Sequence, residues 1–99
     1  MLSDLPKTLF ANNLKTTFRA ILVDGTIIEM ELVEVIDRKS TPRQEQFSLM
    51  FRAPVDTPAE QQTFRLEHDQ LESGDLFLVP VAKNEKEVYF QAVFNRLID

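Results

Sequence analysis

Apolar and polar residues alternate along most of this chain, and a period of two predicts strands. Phe18, Ala20 and Leu22 mark one face of a first strand over 16–23. Ile28, Met30 and Leu32 mark one face of a second over 26–36, with Glu29 and Glu31 on the other. Asp24-Gly25 between them is a hairpin signal, because glycine tolerates the positive φ of a tight turn. The polar stretch Arg38 to Arg43 leads to a third strand carried by Phe47, Leu49 and Phe51 and ended by Ala53-Pro54. Phe64, Leu66 and His68 share one face of a fourth strand, with Arg65 and Glu67 opposite. Leu76 to Ala82 is nearly all apolar, which predicts a fifth strand that is central or buried on both faces. Val88, Phe90, Ala92 and Phe94 mark a sixth, with Tyr89, Gln91 and Val93 opposite.

The opening segment follows a different period. Leu5/Leu9 and Phe10/Leu14 are spaced four apart, Asp4 can cap and Pro6 suits a first turn, so residues 4–14 are expected to form one short helix. The whole is then a single all-β domain over 1–99: a six-stranded antiparallel meander forming a small barrel or sandwich, with a short N-terminal helix. Internal similarity suggests a further division. Thr17-Phe18-Arg19 recurs as Thr63-Phe64-Arg65, and at the same spacing Leu32-Val33-Glu34-Val35 meets Leu78-Val79-Pro80-Val81. Phe47-Ser48-Leu49-Met50-Phe51 matches Phe90-Gln91-Ala92-Val93-Phe94 at a slightly shorter one. Segments 16–53 and 62–96 are therefore candidate repeats of three strands each, against the alternative that strand-rich sequences resemble one another by chance. In both, the apolar run changes phase at Leu-Val-x-Val, as a β-bulge would require. Pro80, which has no amide hydrogen to donate, is expected at an edge or bulge.

Composition narrows the chemistry. The 99 residues contain no cysteine, which removes disulfides, thiolate metal sites and cysteine nucleophiles. The two glycines, Gly25 and Gly74, lie too far apart for a dinucleotide or phosphate-binding loop. A formal net charge of -5 argues against nucleic-acid binding, which needs clustered cations. No apolar run is long enough for a transmembrane helix and no secretory signal opens the chain, so the expectation is a cytoplasmic protein without a membrane partner. No cofactor and no metal site are expected.

Side chains capable of catalysis are few. His68 is the single histidine, flanked by Glu67 and Asp69, which on a strand point away from it. It reads as a structural histidine bonded to a neighbour rather than a general base, and no catalytic residue is assigned. Glu29 and Glu31 share a strand face, as paired carboxylates of a glycosidase would, but nothing apolar beside them would raise a pKa. A solvated strand face accounts for them more simply. In Phe18-Arg19, Phe51-Arg52 and Phe64-Arg65 the two members of each pair face opposite ways, which leaves no stacking platform for single-stranded nucleic acid.

The more informative pattern is a surplus of apolar residues on faces expected to point outward: Ile27, Val33, Val35, Met50, Phe77, Val79, Tyr89 and Val93. The helix could lay Leu5, Leu9, Phe10 and Leu14 over some of them as a lid, leaving the rest for self-association or a protein partner. Phe77, Val79, Tyr89, Val93 and Arg96 are the interaction-surface candidates. Asn95-Arg96 is singled out because packing alone does not explain it: the pair either ties down a terminus or meets a partner.

Four blocks in order, Phe47–Pro54, Thr63–His68, Leu76–Val81 and Tyr89–Arg96, resemble a family of small bacterial all-β proteins catalogued only as a domain of unknown function. The resemblance runs from about Leu9 to Arg96. Family members carry more glycine, before the first strand and before the fourth, where this chain has Lys15 and Gln62. The resemblance implies bacterial origin, an all-β domain and no catalytic residues to carry over. Genes of the resembled family often sit beside phage-tail-collar-like proteins, so the resemblance implies, by association, an accessory role in a phage-tail-like or cell-surface assembly. Residues and resemblance together favour a non-enzymatic protein-binding or assembly module. A small-ligand carrier using the barrel interior stands second, and an enzyme using His68 third.

Overall fold

The computed structural model describes residues 1–97; positions 98 and 99 of the predicted domain lie outside the described residues. Six antiparallel strands are present: β1 (Thr17–Ile21), β2 (Ile27–Asp37), β3 (Gln44–Pro54), β4 (Gln62–Glu67), β5 (Gly74–Lys83) and β6 (Glu87–Leu97). They close into a barrel in the order β1-β2-β3-β6-β5-β4. The expected all-β antiparallel barrel is thus formed, and the strand order refines it. Two three-stranded meanders lie side by side, joined along β3·β6 on one flank and β1·β4 on the other.

Closure gives each strand an inner and an outer face, which explains the alternation. Phe18, Met30, Leu32, Leu49, Phe51, Phe64, Leu66, Leu78 and Phe90 fill the lumen at 1% exposure or less. Small barrels are packed with side chains in this way. Phe18 meets Phe51 edge-on at 5.3 Å, and Phe64 meets Phe90 likewise at 5.6 Å. The same logic corrects the reading of the fifth strand. It is not buried on both faces: Leu76 and Leu78 point inward, while Phe77 is 54% exposed.

Both expected bulges are present. β2 shifts register between Leu32 and Glu34, and β5 between Pro80 and Ala82. The first bulge turns Val35 inward, opposite Leu49 and against the core, so Val35 leaves the outward set. The hairpins β1–β2 and β4–β5 share one register at the spacing of the sequence similarity. Phe18↔Met30 corresponds to Phe64↔Leu76, and Arg19↔Glu29 to Arg65↔Asp75. The correspondence slips at the third strands, because the bulge in β5 falls further along than the Leu78-Val79 match placed it.

The expected helix over 4–14 is replaced by a 3-10 turn (Leu2–Asp4) and a single-turn helix α1 (Lys7–Ala11). Pro6 is the reason. It disfavours helical geometry in the preceding residue, and Leu5 is extended at φ −72°, ψ 144°. The side chain of Asn13 then bonds the Leu9 carbonyl, and Lys15 turns the chain at φ 68°. Nor does this segment cover the outer face. Leu2, Leu5 and Phe10 are buried in the core, while Leu9 and Leu14 remain exposed. Phe10 packs on Phe47 and Phe94, whose rings stack at 4.5 Å where β3 begins and β6 ends, so the segment stoppers that end of the barrel. At the same end, Leu2 N–H bonds the Ser73 carbonyl. Gly74 is required there: a Cβ at that position would come within 2.8 Å of the Leu2 nitrogen.

Candidate interaction surface

On the outer face of β3, β6 and β5, side chains from the two meanders form cross-strand rows. Glu34, Met50, Gln91 and Val79 are successive neighbours across β2, β3, β6 and β5. Beside them, Ile36, Ser48 and Val93 form a second row, and on β5 Phe77 stands opposite Thr63 of β4. Ser48 is small and buried, its hydroxyl accepting from Arg38 Nε at 3.1 Å. Val93 is 68% exposed. Phe77, Val79 and Val93 line one groove of about 550 Å³, with Ser3, Asp75, Gln91, Asn95 and Arg96 as its polar members.

Four of the five candidates, Phe77, Val79, Val93 and Arg96, therefore converge on this groove, and Tyr89 does not. Tyr89 lies between Arg52 and Ala82, and its hydroxyl donates to Glu87 at 3.1 Å. Arg96 is largely occupied within the chain. Its guanidinium bonds the carbonyls of Ser3 (2.9 Å) and Leu5, donates to Glu45 (2.9 Å), and lies 5.3 Å from the ring centres of Phe47 and Phe94. It straps the N-terminal segment to the barrel, which is the first of the two roles the sequence left open. Asn95 accepts from Gln44 Nε2 at 2.7 Å. The charges bordering the groove are balanced: Arg65 faces Asp75 at 3.6 Å, and Arg96 faces Glu45. Met50, already in the outward apolar set, extends the strip across β3, and Gln91 between it and Val79 carries no sequence signal beyond its phase.

The remaining candidates serve other ends. Arg52 sits between Glu31 and Glu87, 3.0 Å from the latter, and the Glu31 carboxylate bonded to it raises its pKa. Glu31 is thus engaged in an ionic row rather than paired with Glu29. His68 lies just beyond β4, 4.5 Å from the Phe18 ring. Its Nδ1 accepts the Gln70 N–H at 2.9 Å, which leaves Nε2 to carry the proton in the neutral ring. Nε2 meets Thr16 Oγ1 at 2.8 Å, and that hydroxyl donates to the Asn13 carbonyl. Burial lowers the His68 pKa, with Arg19 adding to the effect and Asp69 opposing it. The ring is a buttress between the N-terminal segment and β4.

The class defined is a closed six-stranded β-barrel with a filled lumen, a stoppered end and an apolar strip on its outer wall. By sequence the chain belongs to the domain of unknown function DUF6916, whose family model matches residues 5–94. No curated protein and no solved structure shows significant similarity to it. Among the described residues no helix is long and apolar enough to cross a membrane.

Proposed function

We propose that this chain is a non-enzymatic protein-binding or assembly module that works through the apolar strip on β5 and β6. One observation carries the reading. Seven of the eight phenylalanines are buried, and the eighth, Phe77, stands more than half exposed beside Val79 and the still more exposed Val93. Barrel closure leaves no sheet edge for strand addition, so recognition has to use a face. An aromatic anchor flanked by valines and rimmed by amides and balanced charge has the anatomy of an interface core with its polar rim. The same proposal takes the module to act in the cytoplasm, as an accessory part of a larger assembly, which is what the family resemblance implies. The filled lumen offers nothing to the carrier alternative, and both ring nitrogens of His68 are spent on structural bonds.

The test is capture from the native host with wild-type and Phe77→Glu baits of equal thermal stability. A partner retained by the wild type and lost from the variant is expected. An identical set of captured proteins, or none with either bait, overturns the reading.

A further inference from the structure

A second feature lies at the two ends of the barrel and does not depend on the apolar strip. The connection between β2 and β3 continues as a narrow hairpin finger: Thr41 and Gln44 exchange backbone hydrogen bonds at 2.7 and 3.2 Å around Pro42-Arg43. Every residue from Arg38 to Arg43 is exposed. In a chain of net charge -5, this finger presents Arg38, Lys39 and Arg43, none of which has an ion-pair partner among the described residues. The adjacent carboxylate, Asp37, is already bound by Lys7 Nζ at 2.7 Å and by the Ser40 N–H at 3.0 Å. The finger is also stiff. Ser40 Oγ donates to the Gln46 carbonyl and accepts the Gln46 N–H, Arg38 N–H bonds the same carbonyl, and Arg43 N–H bonds Thr41 Oγ1. Lys39 is held at φ 72°, a left-handed conformation that disfavours a side chain.

At the opposite end, where β2 starts and β3 finishes, a groove of about 530 Å³ carries Asp24, Glu29 and Asp56 on its walls and no cation. None of the three has an ion-pair partner among the described residues. Asp24 is kept ionised by the Thr26 N–H it accepts. Ile27, 58% exposed, and Pro58 add apolar walls. Thr57 lines the same groove at 4% exposure, and its hydroxyl has no hydrogen-bond partner among the described residues. A buried hydroxyl is expected to find one.

We propose that the basic finger of one copy seats in the acidic groove of a second copy, so that the chain associates head to tail. Finger and groove lie at opposite ends of β2, whose 11 residues separate them by roughly 33 Å. They cannot meet within one molecule. Between molecules, Lys39 and Arg43 at the exposed turn of a stiff narrow hairpin, with Arg38 behind them, match three unpaired carboxylates. Such a contact uses two different surfaces, so it extends to a chain or closes to a ring rather than stopping at a dimer.

Sedimentation velocity on the full-length protein tests this. At low ionic strength the weight-average mass should rise with concentration, and the rise should shrink at 0.5 M salt, where exposed charges are screened. Lys39→Ser/Arg43→Ser, which disarms the finger, and Asp24→Asn/Asp56→Lys, which disarms the groove, should each weaken association roughly tenfold, as befits two exposed ion pairs. Mixed together, the two variants should form a one-to-one dimer that grows no further, since one intact finger then meets one intact groove. Phe77→Glu should associate like the wild type. A protein that stays monomeric at low salt overturns the proposal, as does association that ignores salt or persists in the finger variant. Loss of association in Phe77→Glu alone also overturns it, and would transfer the contact to the apolar strip.

Discussion

The N-terminal segment makes a sharp energetic prediction through Phe10. Its ring is fully buried, 5.5 Å from Phe94 and 6.0 Å from Phe47, and it closes the barrel end where that stacked pair sits. Phe10→Ala removes the ring from a closed site whose walls, the strands of a hydrogen-bonded barrel, collapse little. The expected loss is about 3–5 kcal/mol, the usual range for a buried phenylalanine truncated to alanine, with its two aromatic contacts included. For a domain of this size that lowers Tm by roughly 15–25 °C. It also takes a large share of the roughly 5–15 kcal/mol that holds a small domain folded. Leu9→Ala, in the same helical turn but 37% exposed, should change stability by about 0.5 kcal/mol or less. The assay is denaturant unfolding of both variants, with the midpoint moving at constant slope. Phe10→Leu, which keeps most of the volume, should retain most of the stability and covers the case in which the alanine variant does not fold. If Phe10→Ala costs no more than Leu9→Ala, the segment is a loose appendage and not a stopper.

Three further outcomes follow from named contacts. Lys15 holds φ 68° while its N–H bonds the Leu32 carbonyl at 2.7 Å, so Lys15→Gly should raise stability by about 1 kcal/mol, read as a higher Tm. His68 has a pKa in the fold below its ordinary 6.5, chiefly through burial, so the unfolded chain binds the proton more readily. Its stabilising contribution is therefore complete above pH 6.5 and is lost as pH falls through the lowered value, where the Gln70 bond to Nδ1 is forfeited. The difference in Tm between wild type and His68→Gln should narrow as pH drops from 7.5 to 5; a difference independent of pH would refute the assignment. Arg96→Lys cannot reproduce the forked bonds to Ser3, Leu5 and Glu45, and should cost about 1–3 kcal/mol while exposing the N-terminal segment to protease.

The legibility of this molecule in its sequence follows the range of the forces involved. Alternation is local, so all six strands and both phase changes could be read from it, as could the burial of the phenylalanines in Phe18-Arg19, Phe51-Arg52 and Phe64-Arg65. Strand order is not local. Nothing near Phe47 specifies that it pairs with Phe94, and the choice of β3·β6 over β3·β4 depends on how two meanders close a barrel. In Leu76–Val81 the outward positions are themselves apolar, so the alternation is invisible and the strand reads as buried on both faces, although Phe77 and Val79 count among the outward apolar surplus. The spacings Leu5/Leu9 and Phe10/Leu14 predict a longer helix than forms, because Pro6 holds the backbone extended between the 3-10 turn and α1. The left-handed turn at Lys15 is kept despite the side chain, and nothing in the alternation announces it. At the candidate surface, the apolar surplus was visible as composition on a face. The convergence of Phe77, Val79, Val93 and Arg96 on one groove, without Tyr89, needed the registers of β5 and β6.

The claim that the outer strip of β5 and β6 meets a protein is tested most directly by photo-crosslinking in the native host, with a photoreactive residue placed singly at Phe77, Val93, Arg19 or Glu67. The first two sites lie on the strip, and the last two lie opposite each other on the β1·β4 flank. The account predicts a discrete higher-mass adduct from positions 77 and 93 and none from 19 and 67. Adducts equal at all four sites, or absent from 77 and 93, would contradict it.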